Sequence, residues 1–78
     1  MKNKILSIIR ALPIHDNETG ISKSEVCSTL GLPSVLVSAV LRRLFKKLMV
    51  EEINLGKAIS YRLCKSVDYQ KAESIFAS

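Results

Sequence analysis

Hydrophobic residues return with a helical period in four stretches of this chain and alternate with a strand period in one. In residues 2–12, "KNKILSIIRAL", Ile5, Ile8, Ile9 and Leu12 fall at i, i+3, i+4 and i+7. That spacing makes one face of a helix, with Lys2, Lys4 and Arg10 on the wet side. Pro13 ends it, because the residue before a proline is pushed out of the helical region. "PIHDNETG" is polar and rich in turn formers, hence a loop. The second helix is expected over residues 22–30. Its opening "SKSE" places Glu25 three residues after Ser22, a capping box that would satisfy two orphaned backbone donors. Val26, Cys27 and Leu30 form its inner face, and Gly31 closes it. Ile21, directly before the cap, is placed to add a short strand.

Leu32 and Pro33 make the next turn, and Ser34 is the expected cap of a third helix over residues 34–47. At about 100° per residue, Val37, Val40, Leu41, Leu44 and Leu48 gather on one side. Val35, Ala39, Arg42 and Lys46 lie opposite, with Leu36 and Arg43 at the edge. Further on, Ile59, Tyr61 and Leu63 alternate with Ser60 and Arg62, the pattern of a half-buried strand. "VEEI" supplies its partner and "NLGKA" the turn, so residues 49–64 read as a hairpin with Lys57 near the tip. In the tail, Tyr69, Ala72 and Phe76 keep helical spacing with Ile75 beside them. A short fourth helix over residues 67–77 would pack on the first helix or on a second subunit. The fold class is therefore mainly α with a small β-hairpin, in the order α-α-α-β-β plus a short C-terminal helix, as one domain over residues 1–78.

Composition sharpens this outline. A chain of 78 residues buries only roughly 60% of its unfolded surface, so its core is modest. Its 47% hydrophobic content argues against wholesale disorder. The net charge of +5 is uneven. Residues 34–65 hold seven basic residues (Arg42, Arg43, Lys46, Lys47, Lys57, Arg62 and Lys65) against Glu51 and Glu52, while the flanks nearly cancel. One basic segment on a neutral frame points to an anionic partner, nucleic acid or a membrane surface. "SVLVSAVLRRLFKKL" is basic and amphipathic enough for a membrane surface. The same apolar residues also fit a globular core, and no apolar run approaches the roughly 18 residues of a membrane span, so no membrane partner is expected. "MKNKILSIIRAL" begins with the charge of a leader, but no small-residue cleavage site follows. Two distant cysteines, Cys27 and Cys64, make no disulfide framework, which favours a reducing cytoplasm.

Catalytic and cofactor chemistry is not written into these residues. The acidic side chains form no pair at a meaningful spacing, and neither a Gly-rich phosphate loop nor a nucleophile motif occurs. His15 stands alone in a polar loop without a second His or a nearby Cys, so no metal site is expected. Cys27 reads as a small core residue. The chain is expected to be neither an enzyme nor a cofactor carrier.

Two helices joined by a turn of a few residues containing Gly make a helix-turn-helix, whose second helix can lie in the major groove of DNA. A hairpin directly afterwards makes a wing. The stretch "ISKSEVCSTLGLPSVLVSAVLRRLFKKLMVEEINLGKAISYRL", residues 21–63, resembles the winged helix-turn-helix of bacterial transcription regulators. It is most similar to the multiple-antibiotic-resistance and arsenical-resistance repressor types and to small fimbrial regulators. Gly31, Leu32, Val37, Ser38, Val40, Leu41, Arg42, Arg43, Leu44, Lys46, Lys47 and Val50 fall in step with those families, and "SYRL" looks like their second wing strand. The resemblance implies a cytoplasmic DNA-binding transcription regulator whose partner is double-stranded DNA, with Ser34, Val35, Ser38, Ala39 and Arg42 at the base-reading positions. It implies Lys57 as the wing-tip cation. Arg42, Arg43 and Lys46 would contact phosphates, and Arg62, with Lys57, would touch the DNA backbone or the minor groove from the wing. The bland alternatives are a solvated helix end, where cations favour the dipole, and strand cations that discourage edge aggregation. A domain of this size makes few contacts, so a homodimer on a two-fold site is the natural arrangement.

The departures from the family pattern define the alternatives. Regulators of this type carry polar side chains where this chain has Val35, Leu36 and Ala39. Those three can touch thymine methyls, form a protein-binding patch, or be buried against the C-terminal helix. The second of these would make the chain a winged-helix adaptor for a protein partner. Leu48 stands where the family prefers Gly, which predicts a third helix without a left-handed cap. Glu51 and Glu52 put negative charge near the wing. The winged helices that grip left-handed nucleic acid use Asn and Tyr on this helix and Trp in the wing; Ser38, Arg42 and the lack of Trp set that subtype aside.

Overall fold

The periodicities are realised as seven elements in a computed structural model that describes residues 2–56 and 58–77. They are α1 (Lys2–Ala11), β1 (Ile21–Ser22), α2 (Lys23–Leu30), α3 (Ser34–Lys46), β2 (Val50–Leu55), β3 (Ala58–Leu63) and α4 (Tyr69–Ser74). The described residues thus form four helices and a three-stranded antiparallel sheet in the order β1-β3-β2. The third strand comes from Ile21 and Ser22, which pair with Tyr61 and Ser60.

α3 is the spine of the core. Val37, Val40, Leu41 and Leu44 are buried along its inner side, against Ile8, Ile9 and Leu12 from the first helical segment and Val26 from α2. Val50 and Leu63, paired across the hairpin, and Ala72 of α4 belong to the same buried cluster. α4 packs on α1. Arg10 Nε meets Glu73 at 2.7 Å, and the Tyr69 hydroxyl donates to the Leu12 carbonyl at 2.7 Å. The fourth helix is shorter than its spacing suggests. Asp68 caps it by accepting from Lys71 N–H, and the chain leaves the helix after Ser74 through a turn.

Three details of the helix ends differ from expectation. Ser22 Oγ accepts from Glu25 N–H as foreseen, yet Ser22 is also a strand residue paired with Ser60. Among the described residues only that half of the capping box forms. Ser34 does not cap α3. Pro33, with φ of −68°, holds that position without a side-chain bond, and Ser34 is the first helical residue. At the other end Leu48 is not an inner residue but 81% exposed. It takes φ of 59°, the left-handed conformation usually left to glycine. Met49 N–H reaches back to the Leu44 carbonyl at 2.9 Å and Leu48 N–H to that of Phe45 at 3.0 Å. The cap therefore exists, with a leucine carrying a strain of roughly 1–2 kcal/mol.

Leu55 pairs with Ala58 across the hairpin, and Gly56, directly after Leu55, has φ of 71°, in the left-handed region that favours glycine. Lys57, expected at the tip, lies outside the described residues. The strand alternation also meets an exception. Ser60, expected to be wet, is buried, because Gly20 closes over it. A Cβ on Gly20 would stand 2.8 Å from the Tyr61 carbonyl and 3.1 Å from Ser60 Cβ. Ile59, nearer the tip, is left half-exposed.

Candidate nucleic-acid interface

A three-residue connection, Gly31 to Pro33, sets the course of α3 relative to α2. Gly31, with φ of 66°, donates to the Cys27 carbonyl at 2.8 Å, and Leu32 N–H reaches the same oxygen at 3.2 Å. Because Val37, Val40, Leu41 and Leu44 are held inward, the opposite side of α3 must face solvent. Val35, Ala39, Arg42 and Lys46 are spaced four, three and four residues apart, within an arc of about 60°. All four are exposed, Val35 at 80%. The reading that buries Val35 and Ala39 against the C-terminal helix is therefore corrected: α4 lies on α1 instead. Leu36 is half-buried against the core.

This open stripe has a chemical gradient. Its first half is apolar, its second half cationic, and α3 carries no acidic residue. Among the described residues neither Arg42 nor Lys46 forms an ion pair. Ser34 is exposed at the first turn. Ser38 and Arg42 also line an open cleft of about 270 Å³ between α3, the start of α2 and the hairpin. Lys23, Leu41, Phe45, Glu52 and Tyr61 complete it. Glu52 and Tyr61 face one another across the strands.

Two of the expected cations are engaged elsewhere. Arg43, one residue past Arg42, is turned roughly 100° around the helix toward the tail. Its guanidinium lies 4.9 Å from the Phe76 ring centroid, and Nη2 donates to the Ile75 carbonyl at 3.1 Å. Neither partner is a carboxylate, so the charge is held in place but not neutralised. Arg62 is paired with Glu51, its cross-strand neighbour, and donates through Nη1 to the Asn17 carbonyl at 2.6 Å. Asn17 in turn folds its own loop by accepting from Thr19 and Gly20. Arg62 thus ties the loop after α1 to the hairpin, and of the two wing acids only Glu52 faces α3.

Lys23 and Phe45 are the contributors that sequence reasoning passed over. Phe45 was legible, seven residues after Ser38 and three after Arg42 on the same flank. Lys23 reaches the cleft only through the tertiary packing of α2. His15 is exposed beside Ile14, Ser66, Val67 and Asp68 in a separate shallow cleft. Among the described residues no helix is long and apolar enough to cross a membrane, and the apolar face of α3 is already inside the core. Comparison with family models, with curated proteins and with solved structures finds no match to this chain.

Proposed function

We propose that this protein is a small winged helix-turn-helix regulator of transcription that binds double-stranded DNA. In this reading α2 and α3 are the helix-turn-helix, α3 enters the major groove, and the β2–β3 hairpin is the wing. The observation that carries it is the open stripe of α3, Val35, Ala39, Arg42 and Lys46, which the chain leaves uncovered beside the hairpin. Arg42 and Lys46 neutralise phosphates, and the release of their counterions makes affinity fall with salt. Arg43 acts indirectly, by fixing the tail against the helix that carries them. A homodimer would set two such helices about one helical turn of DNA apart.

Selection of random duplexes by the purified protein is the experiment. An enriched motif, palindromic if the protein pairs, supports the reading. A pool that stays random, with no salt-dependent retention, rejects it.

A second reading draws on the exposure of Val35. As an adaptor, the protein would seat Val35 and Ala39 on a protein partner. Val35→Lys distinguishes the two, since it abolishes an apolar protein contact and strengthens attraction to a polyanion.

A further inference from the structure

The apolar half of the α3 stripe sets a narrower requirement on the ligand than DNA in general. Val35 and Ala39 expose only methyl groups and lie one helical turn apart. They cannot donate to a base edge or accept from one. Hydrophobic partners in the major groove are few, because each base pair shows mostly donors and acceptors there; the exception is the C5-methyl of thymine. The cationic half of the same stripe, Arg42 and Lys46, fits the phosphate rows that flank the groove, so charge complementarity names a duplex as the occupant.

Resting on the DNA-binding reading, we infer that α3 selects its site through pyrimidine C5-methyl groups. Val35 and Ala39 are the reading residues, and the ligand is a duplex carrying thymine or 5-methylcytosine at the contacted positions. Four residues of helix advance about 6 Å, close to two base-pair steps at about 3.4 Å each. The two methyls are therefore expected about two base pairs apart in each half-site. Ser34 and Ser38 beside them add hydrogen bonds that discriminate weakly, since a hydroxyl both donates and accepts.

The test uses the full chain and the best duplex from the random selection, remade with deoxyuridine for thymidine. Loss of a buried methyl weakens binding about fourfold, and loss of two about fifteenfold. The salt slope stays the same, because no phosphate contact changes. Placing 5-methylcytosine·guanine at a sensitive position restores affinity relative to cytosine·guanine. The double variant Val35→Ser with Ala39→Ser binds thymine and uracil duplexes equally. Both positions are exposed, so its thermal unfolding should match that of the parent and serves as the folding control.

Equal affinity of the parent for thymine and uracil duplexes, with the salt slope intact, overturns methyl reading and leaves DNA binding standing. Discrimination that survives in the double variant also overturns it, by assigning the methyl contact to other residues. Failure to retain any duplex removes both ideas and leaves the adaptor.

Discussion

Arg42 and Arg43 are neighbours in sequence and belong to different regions of the molecule. The side of α3 reached by Arg43 is clasped by the tail, where Phe76 and the Ile75 carbonyl hold the guanidinium. The side reached by Arg42 and Lys46 meets an open cleft and solvent. The difference arises from the helical period, since a step of about 100° carries consecutive residues onto different neighbours. A basic cluster read as one patch is thus split by the fold into a structural half and an available half.

The contrast is sharpest between the inner and outer sides of the same helix. Leu44 is fully buried and Val35 largely exposed. Leu44→Ala should cost about 3 kcal/mol of stability through lost burial and the cavity left behind. Val35→Ala should stay within about 0.5 kcal/mol of the parent. Urea denaturation of the two variants measures both. A large loss at Val35 would mean that something covers the stripe.

Next come the two arginines. Arg43→Ala should lower stability by about 1 kcal/mol, from an exposed cation–π contact and a charged hydrogen bond, and leave the salt dependence of DNA binding in place. Arg42→Ala should do the reverse, with little change in unfolding and a salt slope shallower by about one. Exchange of these two outcomes would reverse the assignment of the two sides.

The end of α3 offers a gain rather than a loss. Leu48 sits in the left-handed region with its side chain in water, so Leu48→Gly should raise stability by about 1 kcal/mol by relieving strain. An unchanged or lower denaturation midpoint would show that the exposed leucine makes a contact of its own.

The smallest effect is electrostatic. Burial pushes the Cys64 thiol above its ordinary range, Glu51 adds to that, and Arg62 opposes it. While both states hold the proton, the contribution is constant. As pH rises from about 8 to 10 the unfolded thiol ionises first, so folding stability falls. Cys64→Ser should remove that part of the decline, and a pH profile identical to the parent's would contradict the shift.

Much of the architecture was legible because local and global signals agree. Ile5, Ile8, Ile9 and Leu12 mark α1 by spacing, and Gly31 marks the end of α2. The stripe on α3 follows from its buried opposite side. What sequence could not supply depended on distant partners. Ser60 is buried because Gly20 happens to lie against it, and Arg62 is spent on Glu51 and Asn17 through strand register and loop closure. Leu48 defied its pattern because the helix ends before it and the backbone reverses hand there. The cleft itself needs α2, α3 and the sheet together, which no local window contains.

The central claim is that Arg42 and Lys46 on the open stripe meet phosphates of a duplex. It is tested most directly by the salt dependence of duplex binding in the parent and in Arg42→Ala with Lys46→Ala. The predicted result is weaker binding and a log–log slope shallower by about two. Identical affinity and slope in both proteins would contradict it.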